Sequence, residues 1–162
     1  MTRRPLLAML CALGLAPRLS NAQGAAAGAP KIDPLRLTDA QWKQRLTPDQ
    51  YAVMRQEGTE RPYASPLNDE HRPGVFHCAG CDLALFSSTT KFDSGTGWPS
   101  FYAALPGAVA TKTDFKLVMP RTEYHCARCA GHQGHVFDDG PKPTGKRYCN
   151  NGVALKFVPA SA

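Results

Sequence analysis

Two Cys-x-x-Cys pairs, Cys78 with Cys81 and Cys126 with Cys129, narrow the possible folds of this chain more than any other pattern in it. Four cysteines at this spacing are typical of a closed tetrahedral zinc site, which leaves no coordination position for a substrate. Bound structural zinc adds on the order of 10 kcal/mol to a small domain, so the hydrophobic core need not be large. We therefore predict one structural Zn²⁺ per chain. Cys149 remains outside both pairs as the thiol that is available to react.

The first 22 residues have the pattern of an export signal. Arg3 and Arg4 form a basic start, residues 5–16 form a short apolar run, and residues 20–22 offer the small side chains that a signal peptidase reads. The apolar run is shorter than the roughly 20 residues needed to span a bilayer, so we expect no membrane attachment after cleavage. The paired arginines resemble a twin-arginine signal, which exports cargo already folded. We expect a periplasmic or otherwise exported protein.

Half of the formal net charge comes from this signal. Removing Arg3, Arg4 and Arg18 from the 19 basic residues lowers the net charge from +6 to +3. The remaining sequence has no basic run and no alternation of aromatic and basic residues, whereas binding to phosphates needs several clustered cations. The sequence therefore indicates no nucleic-acid partner.

Export leaves two states open for the four paired cysteines. In an oxidising compartment they could form disulfides instead of binding a metal. We favour zinc, because a signal for folded cargo allows the metal to be loaded in the cytoplasm before export. Cys11 would leave with the signal, so the exported chain would keep only the cysteines named above.

A chain of 162 residues with 43% hydrophobic residues supports one ordinary domain. Residues 23–37 begin with an Ala/Gly-rich stretch and predict a flexible linker, and the domain is expected over residues 38–160. Two short helices should open it, each started by a threonine cap, over residues 38–45 and 47–58.

Beyond the helices the pattern is mainly β. Short runs of β-branched and aromatic residues alternate with turns rich in Gly, Pro and Asp, and no run between them has the length of a helix. We expect two small antiparallel sheets built from strands at residues 74–77, 83–86, 115–119, 124–126, 135–137 and 153–158.

Four longer motifs carry a resemblance to one enzyme family. They are residues 58–62 (GTERP), 91–101 (KFDSGTGWPSF), 134–141 (GHVFDDGP) and 147–151 (RYCNN). In these motifs, with both cysteine pairs between them, residues 38–159 resemble the peptide-methionine (R)-S-oxide reductases, the methionine sulfoxide reductase B family. The resemblance implies a fold of two antiparallel sheets with a structural zinc remote from the active site.

The residues around Cys149 suit the chemistry of that family. A cysteine attacks as the thiolate, and Arg147, two residues away on the same face of an extended segment, would favour that form. His132 and His135 are candidate proton donors, because histidine titrates near neutral pH, and Asp139 could orient one of them. With a sulfoxide, the thiolate would attack sulfur, the oxygen would take a proton, and the cysteine would become a sulfenic acid.

The resemblance implies a role for each residue and adds an apolar wall. It implies Cys149 as nucleophile and His135 as the main proton donor, with Trp98 against the substrate methyl group and Phe137 beside it. One wall for methyl and another for oxygen would distinguish the R epimer of methionine sulfoxide in oxidised proteins from its mirror image. The polar residues that the resemblance places around the site are His132, Asp139, Arg147 and Asn151.

The chain departs from many relatives at Thr96, where a second redox cysteine is common. No cysteine outside the zinc set then remains to react with the Cys149 sulfenic acid. We expect a thioredoxin-like or other external thiol to reduce it, with a paired cysteine as the alternative at the expense of the metal. We also expect a monomer.

Two other classes of protein share parts of this pattern. A zinc-ribbon binding module would explain the cysteine pairs alone, and a thiol-disulfide oxidoreductase usually carries one Cys-x-x-Cys on a βαβ pattern, which this sequence lacks. Without the resemblance, Trp98 and Asp139 would equally suit turns, and Cys149 could be a buried small apolar residue. His77 and His125, each directly before a paired cysteine, are expected to pack near the metal.

Overall fold

The computed structural model describes residues 32–116 and 119–161 of the chain. Helix α1 spans Asp39–Arg45 and helix α2 spans Pro48–Gln56. Each helix follows a threonine whose side-chain oxygen accepts from the backbone N–H of a glutamine three residues later. The side-chain oxygen of that glutamine in turn accepts from the threonine backbone N–H. Both predicted helices are confirmed, with complete capping boxes.

Nine strands in the described residues form two antiparallel sheets. The smaller sheet has the order β2-β1-β9, and the larger has the order β3-β4-β8-β7-β6-β5. This arrangement confirms the mainly β fold class with short N-terminal helices. In chain order the strands are β1 (Gly74–Cys78), β2 (Ala84–Ser87), β3 (Lys91–Phe92), β4 (Ser100–Phe101), β5 (Val109–Asp114), β6 (Arg121–Cys126), β7 (His132–Phe137), β8 (Arg147–Asn150) and β9 (Leu155–Pro159).

Aromatic side chains from both sheets meet in one core. Phe76 on β1 contacts Phe101 on β4 edge to face, with ring centroids 4.9 Å apart, and Phe86 on β2 stacks on Phe101 at 4.3 Å. Tyr124 on β6 adds an edge contact to Phe86 at 6.1 Å. All four rings are fully buried. Because buried aromatic pairs contribute about 1 kcal/mol beyond their buried area, these contacts help to hold the two sheets together.

Helix α1 closes one end of this core with Trp42. The indole is 3% exposed, and the Arg55 guanidinium of α2 lies 4.8 Å from its ring. The Trp42 ring also packs against Gly80, which lies between the two cysteines of the first pair. A Cβ built on Gly80 would lie 3.5 Å from the Trp42 ring and 3.8 Å from the sulfur of Cys129 in the second pair. The helices therefore cover the cysteine end of the molecule.

The strand predicted over residues 115–119 is absent at Phe115, Lys116 and Met119, and its other two residues lie outside the described part of the chain. The strand in this region is β5, which ends at Asp114, and the residues after it lead to β6. Phe115 and Met119 are 75% and 74% exposed, so these apolar side chains belong to a connection rather than to a buried strand face. β5 escaped prediction because it is an edge strand, paired with β6 alone, and its mostly exposed polar residues show no apolar alternation.

The folded domain begins earlier than predicted. Leu35 donates its backbone N–H to the carbonyl of Arg128 at 2.6 Å, and Leu35 and Leu37 pack against the core. The last residues of the predicted 23–37 linker are therefore part of the domain. The export signal predicted over residues 1–22 and the start of the linker lie outside the described residues. Within the described residues, neither helix has the length and hydropathy required to cross a membrane.

Candidate active site and metal centre

The two cysteine pairs meet in one buried cluster. Cys78 ends β1 and Cys126 ends β6, and Cys81 and Cys129 lie in the turns that follow. All four sulfur atoms lie within 4.8 Å of one another, with 3.6 Å from Cys78 to Cys129 and 3.4 Å from Cys81 to Cys126. These distances are too long for disulfides, in which sulfurs are about 2.05 Å apart. Tetrahedral zinc with bonds of about 2.3 Å would place sulfurs about 3.8 Å apart, so the cluster fits one metal ion.

Both cysteine turns have the same backbone geometry. The Asp82 N–H donates to the Cys78 carbonyl at 3.0 Å, and the Ala130 N–H donates to the Cys126 carbonyl at 2.9 Å. Asp82 and Ala130 have φ values of 65° and 54°, in the left-handed region that closes such turns. His77 packs beside the first turn as expected, with Nδ1 2.8 Å from the Asp82 carbonyl oxygen. A metal in the cluster would join one strand of each sheet.

Cys149 lies on β8, between β4 and β7 in the larger sheet. Its direct partners across the sheet are Ser100 and His135. Because directly opposite residues of antiparallel strands project from the same face, the thiol and the His135 imidazole are neighbours. Gly134 permits this pairing, since a Cβ there would lie only 1.9 Å from the Cys149 carbonyl oxygen.

Burial and charge have opposite effects on the Cys149 thiol. Burial raises its pKa, whereas the Arg147 guanidinium and hydrogen bonds from Thr96 and Arg147 lower it. The expected effect of Arg147 is present, but burial outweighs it, and the net pKa lies above that of an ordinary cysteine. The resting thiol therefore keeps its proton at neutral pH.

Asp139 orients Arg147, and the prediction that it orients a histidine is contradicted. Arg147 donates from Nε and Nη2 to the two carboxylate oxygens of Asp139, each at 2.8 Å. The hydrogen bonds from Arg147 lower the pKa of Asp139. The guanidinium also lies 4.4 Å from the Phe137 ring. Asp139 thus acts on the site through the arginine that faces Cys149.

Asp114, the last residue of β5, is the carboxylate that orients His135. Its Oδ2 atom lies 2.7 Å from His135 Nε2. The Lys116 backbone N–H, together with His135 and Arg121, holds the pKa of Asp114 well below its usual range. An ionised carboxylate only accepts hydrogen bonds, so His135 Nε2 carries a hydrogen and Nδ1 is left for proton exchange. Burial lowers the pKa of His135, and the bond to Asp114 opposes that shift.

Glu123 on β6 binds two further histidines. His132 Nδ1 lies 2.7 Å from one carboxylate oxygen, and His125 Nδ1 lies 3.0 Å from the other. Burial opposes ionisation of Glu123, but the bonds from His125 and His132 outweigh it and hold the pKa at about 2. His132 is 3% exposed and its ring centre lies 5.5 Å from that of His135. It supports His135 from within the protein and lies outside the lining of the Cys149 pocket.

A pocket of about 130 Å³ opens at Cys149. The structure places most of the predicted site residues in its lining, and Arg147, Asp139 and His132 in the layer around it. The pocket therefore combines a thiol, an imidazole and two aromatic rings. Its lining residues are Thr59, Trp98, Arg121, Gly134, His135, Phe137, Cys149, Asn150 and Asn151.

Glu60 connects two walls of this pocket. The Trp98 indole N–H donates to the Glu60 carbonyl at 3.1 Å, and the Glu60 N–H donates to Asn151 Oδ1 at 3.0 Å. Its carboxylate accepts from the N–H groups of Gly152 and Val153 at 2.5 and 3.0 Å. Glu60 therefore fixes the position of Trp98 relative to the segment that follows Cys149.

Gln133 links the pocket to the cysteine cluster. Its carbonyl accepts from the backbone N–H and Nδ2 of Asn151 at 2.8 and 2.9 Å. Its side-chain Nε2 lies 3.6 Å from the sulfur of Cys78, and the whole residue is buried. A structural change at the cysteine cluster can therefore be transmitted to Asn151 through Gln133 alone.

Four residues that shape the site had no predicted role. Arg121 and Glu123 lie two positions apart on the strand before Cys126, so their side chains project from the same face. This spacing is the sequence signal that could have identified them. Glu60 lies in the GTERP motif, whereas Asp114 lies on the strand that escaped prediction. The four are Glu60, Asp114, Arg121 and Glu123.

The fold and the site together fit a thiol-dependent oxidoreductase, in which Cys149 lies apart from a buried cluster of four cysteines that could hold a metal ion. The SelR domain profile matches residues 46–159 of the chain. The chain therefore belongs to the SelR domain family of peptide methionine sulfoxide reductases, which confirms the resemblance noted in its motifs. Enzymes of this family reduce methionine sulfoxide, so the chain is an oxidoreductase that acts on sulfur.

Individual relatives support this assignment. The chain is 55% identical, over 75% of its length, to the chloroplastic peptide methionine sulfoxide reductase B1 of Oryza sativa subsp. japonica, and spans 57% of that protein. It is 54% identical, again over 75% of its length, to the peptide methionine sulfoxide reductase MsrB of Thiobacillus denitrificans, and spans 93% of it. The corresponding values for the Pseudomonas syringae pv. syringae enzyme are 53%, 80% and 100%.

Proposed function

We propose that this chain reduces the R epimer of protein-bound methionine sulfoxide to methionine. The observation that carries the proposal is the pairing of Cys149 with His135 across β7 and β8, in a pocket that Trp98 and Phe137 also line. A nucleophilic sulfur and a proton carrier are thereby adjacent to an aromatic surface. Reduction of a methyl sulfoxide needs these three elements.

The proton needed for the reaction begins on Cys149. Burial raises the pKa of Cys149 and lowers the pKa of His135, so the resting pair holds its shared proton on the thiol. Transfer of that proton to His135 produces the thiolate and the imidazolium in one step. Arg147 stabilises the thiolate, and the ionised Asp114 stabilises the imidazolium.

Cys149 supplies both electrons of the reduction. Its sulfur attacks the sulfoxide sulfur, His135 returns the proton to the oxygen, and the sulfur–oxygen bond of the substrate breaks. The hydroxyl group passes from the substrate sulfur to the Cys149 sulfur as the new bond between the two sulfurs breaks, so methionine leaves with its sulfur reduced and Cys149 holds a sulfenic acid. The thiol and sulfoxide thus become a sulfenic acid and a thioether, with no other reactant in this step.

The two walls of the pocket favour the R epimer. Trp98 and Phe137 provide an apolar surface for the methyl group, whereas His135 and Arg121 provide hydrogen-bond donors for the oxygen. Exchanging methyl and oxygen, as in the S epimer, would leave the oxygen without a donor and the methyl group against charged groups.

Replacing Asp114 with asparagine should lower the rate and shift its pH dependence. His135 then loses the contact that raises its pKa but keeps Arg121 nearby, so its pKa falls further. The acid limb of the kcat/KM profile, where neutral His135 becomes protonated, should move to lower pH, and the plateau should fall about tenfold. The profile is measured for both proteins, with Asp114→Glu as the control that keeps the charge. An unchanged profile in Asp114→Asn would refute the pairing.

The sulfenic acid is proposed to be reduced by thiols from outside the chain. Position 96, whose hydroxyl hydrogen-bonds the Cys149 thiol, is a threonine and cannot form a disulfide. The other cysteines of the described residues belong to the metal cluster. One external thiol forms a mixed disulfide with Cys149 and releases water, and a second thiol releases the cysteine and leaves as a disulfide. A thioredoxin-like protein or a small thiol suits this role.

We assign one structural Zn²⁺ to the cysteine cluster. Four thiolates complete the tetrahedral coordination of zinc, so a metal held there has no open position for substrate. The cluster also lies at the ends of β1 and β6, whereas the Cys149 pocket lies at β7 and β8. Zinc would therefore contribute stability and no catalytic step.

Export is part of the same proposal. It is supported by the twin arginines Arg3 and Arg4 and by the small residues at positions 20–22. The substrates would then be exported proteins oxidised outside the cytoplasm. The N-terminal sequence of protein recovered from the periplasm tests this, and an uncleaved chain confined to the cytoplasm would argue against it.

The direct test uses the two sulfoxide epimers separately, each in a peptide. The R epimer should be reduced at least about a hundredfold faster than the S epimer, because the mirror image misplaces oxygen and methyl. After one turnover without a reductant, Cys149 should carry one added oxygen, about 16 Da, that reacts with dimedone. Equal rates on both epimers would refute the stereochemistry, and an internal disulfide at Cys149 would refute the external-thiol route.

A further inference from the structure

The pocket at Cys149 is too small to hold more than the end of its substrate. Its volume is about 130 Å³. Pockets that enclose a whole small-molecule ligand have volumes of about 300–1,000 Å³, so this one holds only part of a substrate residue. The sulfoxide group and its methyl are the parts that must reach Cys149 and His135 in this pocket. The rest of the residue and the polypeptide that carries it must lie on the surface beside the pocket.

A larger groove adjoins the pocket on one side. It has a volume of about 750 Å³ and runs between helix α2, residues 58–67, and the 3-10 helix Gly152–Ala154. Thr59 lines both the pocket and the groove. Glu60, through its bonds to Asn151 and to the residues after it, forms the wall that separates them. The groove thus begins where the small pocket ends.

The chemistry of the groove matches a polypeptide with an apolar side chain. Its floor includes Ala52, Val53 and Val153, whereas its rim carries charges of both signs, on Asp49, on Arg61 and on Lys156, which is ion-paired with Asp82. An apolar floor with a rim of mixed charge favours neither a polyanion nor a polycation. Backbone amides can bond to such a rim while one side chain fills the apolar floor.

We propose that this groove binds the polypeptide segment next to the oxidised methionine and selects substrates with a large apolar residue there. This inference rests on the proposed function and adds to it a preferred class of substrate. Flexible or unfolded segments fit best, because an extended chain must reach both the groove and the pocket. Apolar residues near methionine are buried in folded proteins and exposed once oxidation has disrupted their packing.

The experiment fills the groove and compares a short substrate with long ones. Ala64 is exposed in the groove wall, so Ala64→Trp should occlude the groove without disturbing the core. For a hexapeptide with leucines on both sides of the R sulfoxide, kcat/KM should fall about tenfold, the equivalent of losing one partly buried leucine. For N-acetyl-methionine-(R)-sulfoxide methylamide it should stay within about twofold, as for an ordinary surface substitution.

Two controls separate the possible failures. Ala40→Trp adds the same side chain at an exposed position of helix α1 and should leave both substrates unaffected. With the wild-type chain, the leucine peptide should be reduced faster than a serine peptide of equal length. Equal losses on short and long substrates, no loss on either, or no preference for leucine would overturn the groove assignment. Failure of the wild-type chain to reduce the short substrate would instead overturn the proposed function.

Discussion

Replacing Cys149 with serine is expected to abolish reduction of the R epimer while the fold and the metal persist. Serine is similar in size to cysteine, but its hydroxyl is a far weaker nucleophile and cannot be oxidised to a sulfenic acid. Loss of an enzyme nucleophile lowers kcat by about 10⁴-fold or more. Initial rates with the purified epimer measure the effect, and the metal content and the melting temperature of the same sample establish that the domain is intact.

A cysteine of the cluster provides the matched control for this substitution. Cys126→Ser makes the same chemical change at a fully buried position of the metal centre. This variant should lose the metal and unfold at a lower temperature, whereas Cys149→Ser should keep both its metal content and its melting temperature. Activity retained by Cys149→Ser, measured without other reductants that could act on the sulfoxide, would refute the nucleophile assignment.

Removing the metal is expected to unfold the domain. Structural zinc contributes on the order of 10 kcal/mol, and a small domain has a total stability of about 5–15 kcal/mol. Without the ion, the four cysteines lose the bonds that join the ends of β1 and β6. Circular dichroism during thermal unfolding, with a chelator and a reducing agent, should show a large fall in melting temperature or no folded state.

The identity of the metal is tested on the native protein. Elemental analysis should give one zinc per chain, and restoring zinc to the chelated sample should restore the melting curve. Cys149→Ser should show the same loss on chelation as the wild-type chain, since Cys149 is not part of the cluster. Native protein that contains no metal, or that has paired disulfides at these four positions, would contradict the assignment.

Features that depend on neighbouring residues were predictable from the sequence. The capping boxes that open α1 and α2 need only a threonine and a glutamine three positions later. The cysteine pairs needed only their spacing, which also left Cys149 outside the cluster, as the structure has it. Five of the nine strands, β1, β2, β6, β7 and β9, were predicted because their apolar residues have high β propensity, whereas β3, β4, β5 and β8 were not.

Features that depend on strand register were not predictable in the same way. Asp114 reaches His135 because β5, β6 and β7 lie side by side, although the two residues are 21 positions apart in the chain. With β5 unrecognised, Asp139 received the role, because the family resemblance selected it over Asp138. The burial that raises the pKa of Cys149 likewise comes from strands distant in sequence, whereas Arg147 is local.

The placement of the two tryptophans gives the protein two separate optical reporters. Trp42 is buried against the cysteine turns, and Trp98 is partly exposed in the Cys149 pocket. The chain has no third tryptophan. Indole fluorescence depends on the polarity around the ring, so loss of metal should change the emission of Trp42, and arrival of a substrate methyl group should change that of Trp98. A Trp42→Phe chain would therefore report substrate binding before any chemistry occurs.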